Sequence, residues 1–292
     1  MAARYAVGID LGTTHCAVAA SPLDKARVQL EAIPQLVASG EVAARELLPS
    51  FMYLPAPGEL TEGDLALPWG SAAAVVGELA RRRGAQVPDR LVASAKSWIC
   101  HGGVNRRAPI LPWSAPEAVP HVSPFEASVR YLQHLRAAWD HAHPDAPLAE
   151  QQVVVTVPAS FDEVARELTA SAAREAGLVS VRLLEEPQAA FYDFLGAYAD
   201  DLGARLGDAR LALVVDVGGG TTDLTLVQVK PGAAGPELER IAVGGHLMLG
   251  GDNMDAALAH HVLEQAGIER RLDPTEWAAL VQSARAAKEQ LL

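Results

Sequence analysis

Apolar residues in this chain fall into short runs, some alternating and some continuous, and most runs are closed by a turn signal. The stretch from Val7 to Ala19, VGIDLGTTHCAVA, reads as strand, Gly/Thr turn, strand, and LVVDVGGGTTDLTLVQV from Leu213 to Val229 reads the same way. The first of these strands is entered by Tyr5. Further strands are expected over Val28 to Ile33 and over Leu47 to Pro55, LLPSFMYLP, before a Pro/Gly-rich loop. Residues 72–84 are Ala-rich with helical spacing, and Gly102 to Pro124, with five prolines, reads as a long loop. An amphipathic helix is predicted from Pro124 to His141. VVVTVP, Val153 to Pro158, is a buried strand, after which Ser160 and Glu163 have capping-box spacing for a helix that stops at Gly177. The next strand starts at Val181 and ends at Glu185-Glu186, with Pro187 expected at the first position of another helix. Strand, helix, strand is the α/β signature. Near the end, Asp273, Pro274 and Glu276 open a helix whose pattern continues to Leu292 without glycine or proline.

Composition narrows the class. The chain has 292 residues, half of them hydrophobic, enough for one large or two moderate α/β cores. A net charge of −12 argues against a nucleic-acid surface, and the basic run Arg81 to Arg83 follows a helical VVGELA pattern, as a solvated helix end would. There is no apolar run of about eighteen residues and no signal-peptide layout, so a cytoplasmic protein with no membrane partner is expected. Two cysteines, Cys16 and Cys100, suit that compartment, and Cys16 is expected to pack as a small hydrophobe. Neither Cys100-His101, nor His141 with His143, nor His260-His261 has partners at metal-ligand spacing.

The two Gly/Thr turns carry the candidate chemistry. In each, a strand delivers an aspartate (Asp10, Asp216), glycine follows (Gly12, Gly218) and two threonines close the turn (Thr13 and Thr14, Thr221 and Thr222). Glycines let backbone amides curl around an anion and threonine hydroxyls add neutral donors, which suits phosphate. Aspartate beside phosphate needs a cation between them, so Asp10 and Asp216 imply Mg²⁺, mainly through water. The plainer reading is a pair of ordinary hairpin turns with aspartate as a turn residue. Neither turn is a P-loop or a dinucleotide turn, because each joins strand to strand. Lys96, in the apolar LVASAKSWIC, either snorkels to the surface or meets a phosphate. Glu186 is either a ligand-site carboxylate at a strand end or a charge on a helix dipole.

Taken in order, GIDLGTT, LLPSFMYL, VVGELA, SAK, VVVTVPASFDEVARE, AREAGL, LLEEPQAA, VVDVGGGTTDLT and LGGDNMD resemble the seventy-kilodalton heat-shock (DnaK-type) chaperones over nearly the whole chain. The resemblance implies the actin-like ATPase fold, with two lobes on duplicated RNase-H-like cores around an ATP cleft. Lobe I would be 1–205, with its core at 1–50 and 146–205 and an inserted subdomain at about 51–145. Lobe II would be 206–292, with a core hairpin at 206–245 and the start of a helical subdomain at 246–292. By position, Asp10, Gly12, Thr13 and Thr14 match the family's first phosphate loop, and Gly218, Gly219, Gly220 and Thr221 match the second. Lys96 matches the lysine that orients water and γ-phosphate, Glu186 the carboxylate ordering the metal's waters, and Asp216 the proton acceptor. Thr221 joins these as a catalytic candidate, and Asp223 matches a further cation-site carboxylate, with K⁺ admitted beside Mg²⁺. Gly250 and Gly251 resemble the turn closing over the phosphates, and Lys288 falls where a helix touches the adenosine.

The implied activity is slow, Mg²⁺-dependent ATP hydrolysis that switches a peptide-binding domain. Unfolded client peptides would be reached only through that missing domain, and a J-protein and a nucleotide-exchange factor are the implied partners. The same motifs admit a bacterial cell-shape filament ATPase, which would lack the lysine at position 96. Two departures stand out: the Pro/Trp-rich stretch from Cys100 to Pro116, and Arg285 where the family generally has glutamate near the adenine. Because the last helix has no stop, the second lobe is expected to be truncated.

Overall fold

The computed structural model describes residues 2–292 except 26, 114, 233, 234 and 246. Strand β1 (Tyr5–Leu11) and strand β2 (His15–Pro22) form the first expected hairpin, and β3 (Gln29–Leu30) adds to β2. The expected strand over Val28 to Ile33 is corrected here, because Ile33 opens a separate hairpin of β4 (Ile33–Ala38) and β5 (Glu41–Arg45) that turns at Gly40, φ 69°. The Leu47 to Pro55 strand is also two strands. β6 (Leu47–Pro49) pairs with β2, and the chain then kinks to β7 (Met52–Tyr53) in another sheet.

Strands β8 (Ala66–Leu67) and β9 (Gly70–Ser71) form a small hairpin, and β10 (Val75–Val76) pairs with β7. Helix α1 (Glu78–Gln86) therefore begins six residues later than its Ala-rich pattern suggested. Gly77, at φ 81°, supplies the break, since its backbone lies where other residues rarely go. β11 (Leu91–Val92) completes the three-stranded sheet, followed by α2 (Ala95–Cys100) and, beyond the long loop, α3 (Pro124–Ala142).

The α/β unit is as the pattern reads: β12 (Gln152–Val157), α4 (Glu163–Glu175) and β13 (Val181–Glu185), with both strands parallel to β1 through the order β13-β12-β1-β2-β3. Two details differ. The cap of α4 is Asp162, which accepts from Ala165 N at 2.6 Å, not Ser160. Helix α5 (Glu186–Ala197) has Glu185 as its cap, so Pro187 occupies the second helical position. The main core lies between this six-stranded sheet and α2, α3 and α4, with Ile9, Val155, Leu132, Leu135 and Ala172 almost fully buried.

After α6 (Leu202–Leu206), β14 (Leu211–Val217), β15 (Thr222–Gly232) and β16 (Gly235–Val243) make an antiparallel three-stranded sheet. Helices α7 (Gly251–Gln265) and α8 (Pro274–Leu291) follow, and the Asp273/Glu276 capping box at the start of α8 is as expected. Helix α5 packs against both β13 and β14 and so joins the two sheets. Among the described residues, no helix is long and apolar enough to cross a membrane.

Candidate functional site

The turns after β1 and β14 face each other across a cleft of about 600 Å³. The first contributes Asp10, Gly12, Thr13 and Thr14, the second Asp216, Gly218, Gly219 and Thr221, and Lys96 and Glu186 complete one wall. Contact between the turns is close. A Cβ on Gly219 would lie 2.1 Å from Thr14 Cγ2, and one on Gly220 would lie 2.3 Å from Ser97 Oγ. Only residues without side chains let the two loops approach this far.

Lys96 does not snorkel. Its side chain is 13% exposed and its ammonium lies 2.5 Å from Glu186 Oε1. Burial works against the charge, but Glu186 and Asp10 outweigh it, and the Lys96 pKa stands above its ordinary value. Burial pushes Glu186 above the usual carboxylate range, with Lys96 only partly offsetting it. Asp216 is raised too, first by burial and then, against Lys96, by the neighbouring charges of Asp223 and Asp10. Three carboxylates, Glu186, Asp10 and Asp216, thus surround one ammonium, with Asp223 behind Asp216. Such a set favours added positive charge, which is the donor chemistry a hard cation needs.

Several candidates sit behind the cleft wall. Asp223 is buried, stands directly opposite Asp216 in the β14–β15 ladder, and accepts from Thr221 Oγ1 at 3.3 Å. Gly250 and Gly251 back the second turn: Gly251 N donates to Gly218 O at 3.0 Å and Asp252 N to Gly219 O at 2.6 Å. Lys288 lies 2.6 Å from the buried Asp255 and bonds Gly251 O at 3.2 Å, which holds its ammonium at the first turns of α7. Arg285, also buried, pairs with Asp252 and with Asp255, the latter at 2.7 Å. Among the described residues no group of three His, Cys, Asp or Glu side chains could hold a metal directly.

Four polar residues of the lining, Thr156, Asp193, His15 and Ser97, were missed by the sequence reading. Thr156 donates to Asp10 Oδ1 at 2.7 Å, and its signal was there: a lone hydroxyl in the apolar VVVTVP. Asp193 is two helical turns beyond Glu186 on α5, so the two share a face. His15, whose pKa burial lowers, and Ser97, whose buried Oγ has no hydrogen-bond partner among the described residues, carried no signal of their own. Behind the first turn, Ser50 Oγ donates to Gly12 O at 2.8 Å and lies 3.3 Å from Cys16 Sγ. Cys16 is fully buried and its thiol is pushed up to about 12 by that burial, so it packs as a small hydrophobe.

The chain is 36% identical to the "Chaperone protein HscA homolog" of Pseudomonas aeruginosa over 99% of its own length and 42% of the relative's. The proteins of the same description from Azotobacter vinelandii and Burkholderia lata are 36% and 35% identical, each over the same shares of the two chains. The chain therefore spans 42% of the length of these curated relatives. The family model described as "Hsp70 protein" matches residues 70–292, so most of the cleft, from the Lys96 helix to the second turn and α7, falls within the match. The chain belongs to the Hsp70 family.

Proposed function

We propose that the cleft binds ATP with Mg²⁺ and hydrolyses it slowly, as the nucleotide-binding part of an Hsp70-type chaperone. In this reading 1–205 and 206–292 are parts of two lobes of an actin-like ATPase, whose fold the family implies and with which the mixed α/β architecture agrees. The observation that carries the proposal is the meeting of two Gly/Thr turns, from different sheets, over the Lys96–Glu186 pair.

Each residue then has a physical task. Backbone amides of Gly12 to Thr14 and of Gly218 to Thr221 hold the polyphosphate, and the threonine hydroxyls add donors. Asp10, Asp216 and Asp223 would hold Mg²⁺ through water, and the ion, when bound, neutralises phosphate charge. Lys96 stays protonated and places a fixed positive charge against the terminal phosphate. Asp216, raised by its surroundings, is suited to orient the attacking water and take its proton. Among the described residues lining the cleft there is no arginine, so charge stabilisation is modest and turnover slow, as suits a switch. Client peptides, a J-protein and an exchange factor belong to this proposal as partners of the longer proteins that the chain resembles. The filament alternative is less well supported, since Lys96 lies in the cleft and the family matched is Hsp70.

Calorimetric ATP·Mg²⁺ binding and single-turnover hydrolysis, on wild type and Lys96→Ala, test the reading. Wild type should bind and hydrolyse slowly, and Lys96→Ala should bind but lose roughly 100-fold in rate. Wild-type rates in Lys96→Ala, or no nucleotide binding by wild type, would overturn it.

A further inference from the structure

Ser94 is the only non-glycine residue with left-handed backbone among those described, at φ 53° and ψ 31°. It occupies the cap position of α2, two residues before Lys96. A serine there normally turns its hydroxyl back onto the free amides of the helix, and Ser94 makes no such bond. Its Oγ instead donates to Asp252 Oδ2 at 2.7 Å, in the first turn of α7.

Asp252 is itself pinned to the second phosphate turn. Its amide donates to Gly219 O at 2.6 Å, and its other carboxylate oxygen pairs with Arg285, which is anchored on buried Asp255. One hydroxyl therefore joins the helix carrying Lys96 to the assembly that backs Gly218 and Gly219. Helix α2 and the second turn also meet at Gly220, which Ser97 faces with an Oγ that has no hydrogen-bond partner among the described residues. A left-handed conformation is unfavourable for a residue with a side chain and persists only where its surroundings hold it. Without Asp252 the turn at Ser94 has reason to relax, and Lys96 would move with it.

We propose that Ser94 is a positioning residue for Lys96: its bond to Asp252 holds the left-handed turn that aims the ammonium, so Lys96 is in place only when the start of α7 is seated on the second turn. The inference rests on the role given to Lys96 above. It makes Lys96's alignment depend on a contact with the other side of the cleft.

The test compares wild type with Ser94→Ala, Asp252→Ala, the double variant and Ser94→Asn, which tolerates left-handed backbone and keeps a donor. Two readouts are taken: ATP affinity with single-turnover rate, and the rate at which dilute acetic anhydride acetylates Lys96 in nucleotide-free protein, followed by mass spectrometry with Lys25 and Lys230 as internal references. Ser94→Ala and Asp252→Ala should each slow hydrolysis about tenfold with affinity little changed, since misplacement by a fraction of an ångström acts on the chemical step. The double variant should be no slower than either single one, Ser94→Asn should behave as wild type, and Lys96 should acetylate faster in both alanine variants. If Ser94→Ala leaves rate and acetylation unchanged, or if the two substitutions act independently, the proposal falls. If wild type fails to hydrolyse ATP while Ser94→Ala still accelerates acetylation, the ATPase reading fails and the positioning of Lys96 by Ser94 stands.

Discussion

Strands β1 and β14 carry nearly the same pattern into nearly the same turn, yet their surroundings are opposite. Around Asp10, the flanking Val7, Ile9 and Leu11 are 1%, 0% and 6% exposed. At the matching positions around Asp216, Leu213, Val215 and Val217 are 61%, 55% and 56% exposed. β1 lies inside a six-stranded sheet covered by α3 and α4, whereas β14 is the edge of a three-stranded sheet. Alternation along a strand tells which side chains share a face. Whether anything covers that face depends on elements elsewhere in the chain.

Equivalent truncations should widen that contrast most. Ile9→Ala should cost about 4 kcal/mol, because it leaves a cavity in a closed core, and Val215→Ala less than about 1 kcal/mol, both read from denaturant unfolding. Similar losses at the two positions would mean that the second sheet is covered in solution.

The glycines offer a second test of the same difference. A Cβ on Gly12 would fall 2.2 Å from the carbonyl oxygen of His15 within its own turn, so Gly12→Ala should destabilise by about 2–3 kcal/mol. On Gly220 the obstacle is Ser97 Oγ, a hydroxyl that can rotate aside, and Gly220→Ala should cost under about 1 kcal/mol while weakening nucleotide binding across the cleft. Thermal unfolding and calorimetry on both variants would separate a turn that is self-contained from one whose constraint comes from across the cleft.

A smaller effect concerns ion pairs. In the first region Arg106, buried, holds Asp162 through bonds of 2.9 and 2.7 Å, and Asp162 is half exposed. That guanidinium keeps the Asp162 carboxyl down at about 2, with the α4 amide bond from Ala165 assisting. Since the folded pKa lies below the unfolded one, the pair's stabilisation is complete above about pH 4 and is lost as pH falls towards 2. Solvent screening limits that loss to about 1 kcal/mol, and Asp162→Asn should remove it from the acid limb of the unfolding curve. The second region's Arg285–Asp255 pair, with a fully buried carboxylate, should cost more to break, since removing Asp255 takes the partner from Lys288 as well and leaves Arg285 with Asp252 alone.

Much of the candidate site was legible because its signals are local. A Gly/Thr turn after a strand-borne aspartate needs only a few consecutive residues to declare itself, and twice is more than coincidence. The Mg²⁺ reading of Asp10 and Asp216 followed from charge alone. Less legible were Thr156, Asp193 and Ser97, which reach the cleft from elements whose own patterns describe packing. Boundaries failed where context overrode pattern. The Ala-rich run at 72–84 lost its first turn to strand β10, which β7 recruits by pairing, and the cap of α4 went to Asp162, which Arg106 and the Ala165 amide hold in place.

By itself, then, the sequence determined the two hairpins, the parallel strand-helix-strand unit, most of the helices and the resemblance that family comparison bears out. Those are properties of neighbouring residues: periodicity, turn chemistry and capping are felt within a few positions of the chain. Only the tertiary structure decided that Lys96 is buried against Glu186, that Lys288 pairs with Asp255, and that Ser94 bonds across to Asp252. Those outcomes depend on which distant charges and faces a fold brings together, and burial, charge pairing and strain are settled only by that company.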